Sequence, residues 1–104
     1  MFGMSRVSGK PYFAYVLWSP QGHRFYIGVS DDPSRRLEQH NQGRLGWTAR
    51  FRPWVLVHVK KYENYRAARK SEVELKAQKS GGGFFLLTGL DPSQFPRATD
   101  PQGS

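Results

Sequence analysis

The chain has 104 residues, 38% of them hydrophobic, with 16 Lys or Arg against 8 Asp or Glu and a formal net charge of +8. That length holds one compact domain and not two, and seven Phe, five Tyr and three Trp compensate for the modest apolar share by burying large areas each. The lack of cysteine excludes a disulfide framework, a thiolate metal site and a cysteine nucleophile. No apolar run approaches the ~20 residues of a membrane-spanning helix, and Met1 to Lys10 carries no apolar core of a secretory signal. A cytoplasmic protein without a membrane partner is the expectation.

Twelve of the 16 basic residues fall between Arg35 and Lys79. Such an excess on a small domain favours a polyanionic partner, usually nucleic acid, over a merely solvated face. Charge alone does not separate a binder from an enzyme.

In chain order, residues 1–10 read as a flexible basic arm, 11–90 as the ordered domain and 91–104 as a flexible tail with Pro96 and Pro101. Tyr12 to Trp18 is a continuous aromatic and aliphatic run, suited to a strand covered on both faces. Ser19-Pro20-Gln21-Gly22 is a turn cluster, and Arg24 to Val29 a second strand, so the two form a hairpin. A four-residue turn over that cluster places Trp18 opposite His23 and Tyr15 opposite Tyr26, on one face. A one-residue slip would separate the tyrosines.

Asp32 is a good N-cap and Pro33 a good first residue for a helix from Pro33 to about Asn41, stopped by Gly43. Arg36 and His40, four apart, share a face of it. Gln42 to Arg52 is a basic loop carrying Trp47 and Thr48, in which Trp47 is equally suited to stack on a base or to anchor the core. Trp54 to Val59 reads as a third strand. Asn64 caps a second helix, about Tyr65 to Lys79, which the run Gly81-Gly82-Gly83 stops. Ala68, Glu72 and Leu75 share one face of that helix, turning a carboxylate toward the sheet, with Glu74 roughly opposite.

Phe13-Ala14-Tyr15, ten residues, then Tyr26-Ile27-Gly28 resembles the two-part motif of the GIY-YIG nuclease superfamily. The second half is intact; the first keeps its tyrosine. Arg36 and His40 match the arginine and histidine of that family's first helix. Arg52-Pro53-Trp54 before Val55-Leu56-Val57 is similar to the third strand of its small single-domain members, and Glu72 falls where the family keeps a metal-binding glutamate. The resemblance runs from about Tyr12 to Lys79 and extends to the N-terminal nuclease domain of the DNA-repair excinuclease.

The fold this implies is α/β of the α+β kind, a small three-stranded antiparallel sheet flanked by helices. The activity it implies is metal-dependent hydrolysis of DNA phosphodiester bonds, structure-directed or weakly sequence-specific, with a place in repair or recombination. Tyr15, Tyr26, Arg36, His40 and Glu72 are the implied catalytic set. Glu72 offers a hard oxygen ligand suited to Mg²⁺ or Mn²⁺, and Arg36 a fork for phosphate oxygens. Tyr15 is the implied activator of water, its ordinary pKa of ~10 calling for a nearby cation. His40 is expected to share the proton relay or to orient Tyr26. Arg35, Arg44, Arg50, Arg52 and Lys76 are the expected contacts to DNA. His23 and His58 have no partner spacing and read as turn and strand residues. A monomer or weak dimer is expected. The other reading is a nucleic-acid-binding module that keeps the fold and cuts weakly or not at all.

Overall fold

The computed structural model describes residues 10–78, 82–98 and 102–103. The arm expected over 1–10 therefore lies outside the described residues except for Lys10, whose ammonium meets Asp31 at 2.6 Å. Six consecutive buried residues, 14–19, mark β1 (Tyr12–Ser19) as the central strand. It pairs antiparallel with β2 (Arg24–Ser30) on one side and β3 (Val55–Tyr62) on the other, the three-stranded sheet that was expected. β3 begins one residue later than its apolar run suggested and ends three residues later, continuing through Lys60, Lys61 and Tyr62. An outer strand tolerates such residues, and charge there discourages pairing with other chains.

The β1–β2 turn has four residues, but they are Pro20, Gln21, Gly22 and His23. Ser19 stays in the strand opposite Arg24 because its hydroxyl is engaged twice. It donates to the Phe51 carbonyl at 2.7 Å and accepts the Gly22 N–H at 2.8 Å. His23 closes the turn in the left-handed region, φ 54, with its N–H on the Ser19 carbonyl at 2.8 Å. Trp18 therefore faces Phe25 and not His23, and Tyr15 faces Gly28 and not Tyr26. This corrects the expected register by two residues. Because side chains alternate with a period of two, that shift leaves each residue on its face, and the Tyr15 and Tyr26 rings still lie 6.5 Å apart.

Two apolar clusters lie on the two faces of the sheet. Val16, Trp18, Phe25 and Ile27 join Leu75 and Phe84 on one face; Tyr15, Leu17 and Tyr26 join Trp54 on the other. Between Val16 and Leu17 the pairing with β3 skips a residue, so that His58 faces Val16 while Leu56 faces Leu17. Val57 is the extra residue, a bulge in an outer strand.

α1 (Pro33–Asn41) has the expected bounds, with the Asp32 carboxylate accepting the Arg35 N–H at 3.2 Å and Gly43 at φ 79 just beyond its end. The basic loop contains a short 3-10 segment, Gly46–Phe51. α2 (Tyr65–Ala77) is capped by Asn64, which accepts the Ala67 N–H at 2.9 Å, and buries Ala68, Glu72 and Leu75. Lys79, the expected last residue of α2, lies outside the described residues. The glycines expected to stop that helix instead open another, α3 (Gly82–Thr88). Glycine is a poor helix former, but Phe84 just behind is 2% exposed and packs on Phe25 at 4.7 Å between centroids, a burial worth a few kcal/mol (~2) that offsets it.

Part of the stretch expected to be a flexible tail is packed. After a turn at Pro92–Gln94, the Phe95 ring lies 5.1 Å from that of Trp18 and 5.0 Å from that of Phe25. A two-residue strand, β4 (Gln102–Gly103), lines the outer edge of β2 in parallel. Among the described residues, no helix is long and apolar enough to cross a membrane.

Candidate active site

Tyr15 is 1% exposed and lies on the sheet face that α1 covers. Its ring runs across the strand over Gly28. A Cβ at that glycine would stand 2.5 Å from the Tyr15 hydroxyl oxygen and 2.6 Å from Cζ. The glycine that closes Tyr26-Ile27-Gly28 thus supplies the space in which the phenol lies.

The Tyr15 hydroxyl meets Nε2 of His40 at 3.2 Å. His40 sits in the last turn of α1 and is fully buried, at 0% exposure. Its Nδ1 is 2.8 Å from the Thr48 hydroxyl. That hydroxyl donates its one proton to the Leu45 carbonyl at 2.7 Å, so toward His40 it acts as acceptor. The network therefore assigns the imidazole hydrogen to Nδ1 and leaves the Nε2 lone pair to receive the Tyr15 O–H. Burial, helped by the charge of Arg36, lowers the His40 pKa to about 4, so the imidazole is neutral at pH 7.

Burial first, then Tyr26, pushes the Tyr15 pKa up to about 12. The Arg36 guanidinium, close enough to favour the phenolate, works in the opposite direction, and Glu72 adds to the rise. Tyr26, Arg36 and Glu72 are all within electrostatic reach of one hydroxyl. The Tyr26 ring is 7% exposed and stands edge-on to His40 at 4.7 Å. Arg36 is half-buried, its Nη1 donating to Gln39 at 3.1 Å. Of the catalytic set implied by the sequence, Tyr26, His40 and Arg36 are thus brought around Tyr15, whereas Glu72, on α2, acts on the phenol through its charge alone.

Glu72 is 2% exposed. Its Oε1 lies 2.7 Å from Arg69 Nη1 and its Oε2 3.0 Å from Lys76 Nζ. Among the described residues no three His, Cys, Asp or Glu stand together as a metal cage. Glu72 would be the carboxylate that holds a resident cation, which would rely on water and phosphate oxygens for the rest of its shell. One hard carboxylate in that role fits Mg²⁺ or Mn²⁺, which keep much of their hydration, and does not fit zinc.

Of the expected DNA contacts, Arg35, Arg44, Arg50 and Arg52 are exposed and Lys76 is half-buried against Glu72. Arg52 donates to the Ala49 carbonyl at 2.9 Å and Arg50 lies over Phe51 at 5.9 Å. Trp47 is 37% exposed, with its ring 4.8 Å from Phe51, so it packs at one side and is open to solvent at the other. His23 lies in the β1–β2 turn, and His58 stands opposite Val16, on the face of the sheet turned away from Tyr15.

Two residues of the site carried no sequence signal. Thr48 was part of a basic loop, and nothing in a spacing of eight residues ties it to His40. Asn41 reads as the end of a helix, yet its side chain accepts the Trp54 N–H at 2.6 Å and donates to the Trp54 carbonyl at 3.0 Å. Trp54 in turn donates its indole N–H to the Thr48 carbonyl at 2.8 Å. This clamp fixes the loop that holds Thr48 against His40.

The GIY-YIG catalytic domain matches residues 11–82, well over half of the chain. This is a catalytic domain of the nuclease class, an endonuclease acting on phosphodiester bonds. The chain belongs to the GIY-YIG family. It is 36% identical over 70 residues to a UPF0213 protein of Enterococcus faecalis, covering 64% of this chain and 78% of that protein. A UPF0213 protein of Listeria welshimeri is 35% identical over 66 residues, 62% of this chain and 72% of the other. The structure-specific endonuclease subunit SLX1 of Meyerozyma guilliermondii is 45% identical over 60 residues, 51% of this chain but 20% of that longer protein.

Proposed function

We propose that this domain is a divalent-metal-dependent DNA endonuclease that recognises structure or has weak sequence preference, with service in DNA repair or recombination. The observation that carries this reading is the chain from the Tyr15 hydroxyl through His40 to Thr48, set beside Tyr26 and Arg36. It is a buried phenol hydrogen-bonded to a neutral imidazole, next to a permanent cation that can fork onto phosphate.

In this reading Tyr15 positions and activates the attacking water, and its own proton passes to His40 Nε2. Burial raises the phenol to about 12 and lowers the imidazole to about 4, so the neutral pair is strongly favoured over the proton-transferred one. The resting phenol is therefore protonated, and its proton leaves as the water attacks and not before. Arg36 draws the charge that develops on the phosphate, a contribution on the order of 3 kcal/mol. Tyr26 hydrogen-bonds the phosphate or the water from the same face. Glu72 would hold the metal ion, which when bound neutralises phosphate charge and stabilises the leaving oxygen. Exposed Arg35, Arg44, Arg50 and Arg52 suit the DNA backbone, and phosphate contacts carry no base information. The likeness to a structure-specific endonuclease subunit supports the structural preference.

The test is cleavage of labelled single-stranded, duplex, flap and branched DNA with Mg²⁺, Mn²⁺ or chelator, alongside Glu72→Gln. Metal-dependent cutting that is lost in Glu72→Gln is expected, with DNA binding retained. Tight, salt-sensitive binding without cutting on every substrate would instead identify a binding module.

A further inference from the structure

Glu72, the carboxylate read above as the metal ligand, has both oxygens occupied by cations of its own helix. Pairs spaced three and four along a helix are ordinarily exposed and contribute little. Here the carboxylate side chain is 3% exposed, whereas those of Arg69 and Lys76 are 47% and 25% exposed. The anion is fixed inside, and the two cations reach it from the surface.

We propose that Arg69 and Lys76 form a latch on Glu72 that the DNA backbone opens. Two positive charges at 2.7 and 3.0 Å from the carboxylate oxygens repel an arriving divalent cation and occupy the lone pairs it would use. A phosphate backbone is the chemistry that draws such groups away. It offers dense negative charge at the surface, and both guanidinium and ammonium are good phosphate donors. Arg69 and Lys76 thus serve as positioning residues in the free protein and as backbone contacts in the complex. Metal and DNA then bind with positive coupling, each strengthening the other by the same factor. The inference rests on Glu72 as the metal ligand. It adds Arg69 to the DNA-facing residues and makes metal loading conditional on substrate.

Two measurements test it. The first follows the Glu72 carboxyl carbon and the Lys76 Nζ by NMR in chelator, while a short duplex is added to Tyr15→Phe, a variant chosen to prevent cutting. Both resonances should move although no metal is present; unchanged resonances at saturating DNA would overturn the latch. The second is the affinity of the DNA-free protein for Mn²⁺ by calorimetry, in the wild type, in Arg69→Met/Lys76→Met and in Glu72→Gln. The double variant should bind Mn²⁺ about tenfold or more tightly than the wild type, within the usual range of coupling. Equal or weaker binding in a double variant that is folded by circular dichroism would refute the latch. Mn²⁺ binding that survives in Glu72→Gln would instead remove Glu72 as ligand, a failure of the underlying reading and of the latch with it.

Discussion

Gly28 stands directly across the sheet from Tyr15, and the volume a side chain would fill at position 28 is occupied by the phenol itself. Gly28→Ala would set a methyl group 2.5 Å from the hydroxyl oxygen, so either the strand or the ring must move. The expected result is a cleavage rate at least 100-fold lower, since a misplacement of about 1 Å has that effect. Overpacking should also cost about 1–3 kcal/mol in urea unfolding. A wild-type rate in the alanine variant would show that the position of the phenol does not matter to cutting.

Thr48→Val keeps the shape of the side chain and removes the acceptor that fixes the hydrogen on His40 Nδ1. The imidazole is then free to place its hydrogen on Nε2, where it can no longer receive the Tyr15 proton. Cleavage should fall about tenfold or more, the scale on which general-base help operates. Thr48→Ser, which retains the hydroxyl, should stay close to wild type. Equal rates in the serine and valine variants would separate Thr48 from the chemistry.

The His40 pKa of about 4 in the folded chain, against 6.5 for the free side chain, makes stability depend on pH. Between those two values the unfolded chain holds more protons than the folded one, so stability rises with pH. The contribution is fully present above about pH 6.5 and is lost progressively as pH falls toward 4, amounting to about 3 kcal/mol. Thermal or urea unfolding across that interval should show the loss. His40→Leu should flatten the profile; an equally steep profile in that variant would assign it to other groups.

Asn41→Ala removes both hydrogen bonds that hold the backbone of Trp54. At about 1 kcal/mol for each bond, and more for the buried groups left unpaired, the variant should lose on the order of 2–3 kcal/mol. Because Trp54 also bonds the Thr48 carbonyl, cutting should decline even at temperatures where the variant is folded. A loss of stability with full activity would mean that the loop keeps Thr48 in place without the clamp.

The strands and the first two helices were legible because each carries a local signal. Asp32 and Asn64 cap as their side chains dictate, Gly43 ends α1, and the alternation in β1 and β2 keeps both tyrosines on one face. The exact register was not legible, since Ser19 remains in its strand through a bond to Phe51, thirty-two residues away, and His23 adopts a conformation that sequence rules assign more readily to glycine or asparagine. α3 escaped because three glycines outweigh four apolar residues until Phe25 is known to lie beneath them. Of the residues around Tyr15, those in a spaced series were visible. Thr48 was not, because only the folded loop joins it to His40. The ion pairing of Glu72 with Lys76 could be read from spacing, but the depth at which the carboxylate sits could not.

The bulge at Val57 shows that an outer strand of this sheet accommodates a surplus residue by kinking around it. β1 has no such outlet. It is hydrogen-bonded along both edges, and its successive side chains go alternately to the packed core and to the phenol cluster. Deleting or inserting one residue between Tyr12 and Tyr15 would carry Tyr15 to the wrong side and send an aliphatic chain toward His40, even if the sheet still formed. Among descendants of this domain, point substitutions in β1 should therefore outnumber changes of its length by far, whereas β3 should drift in both.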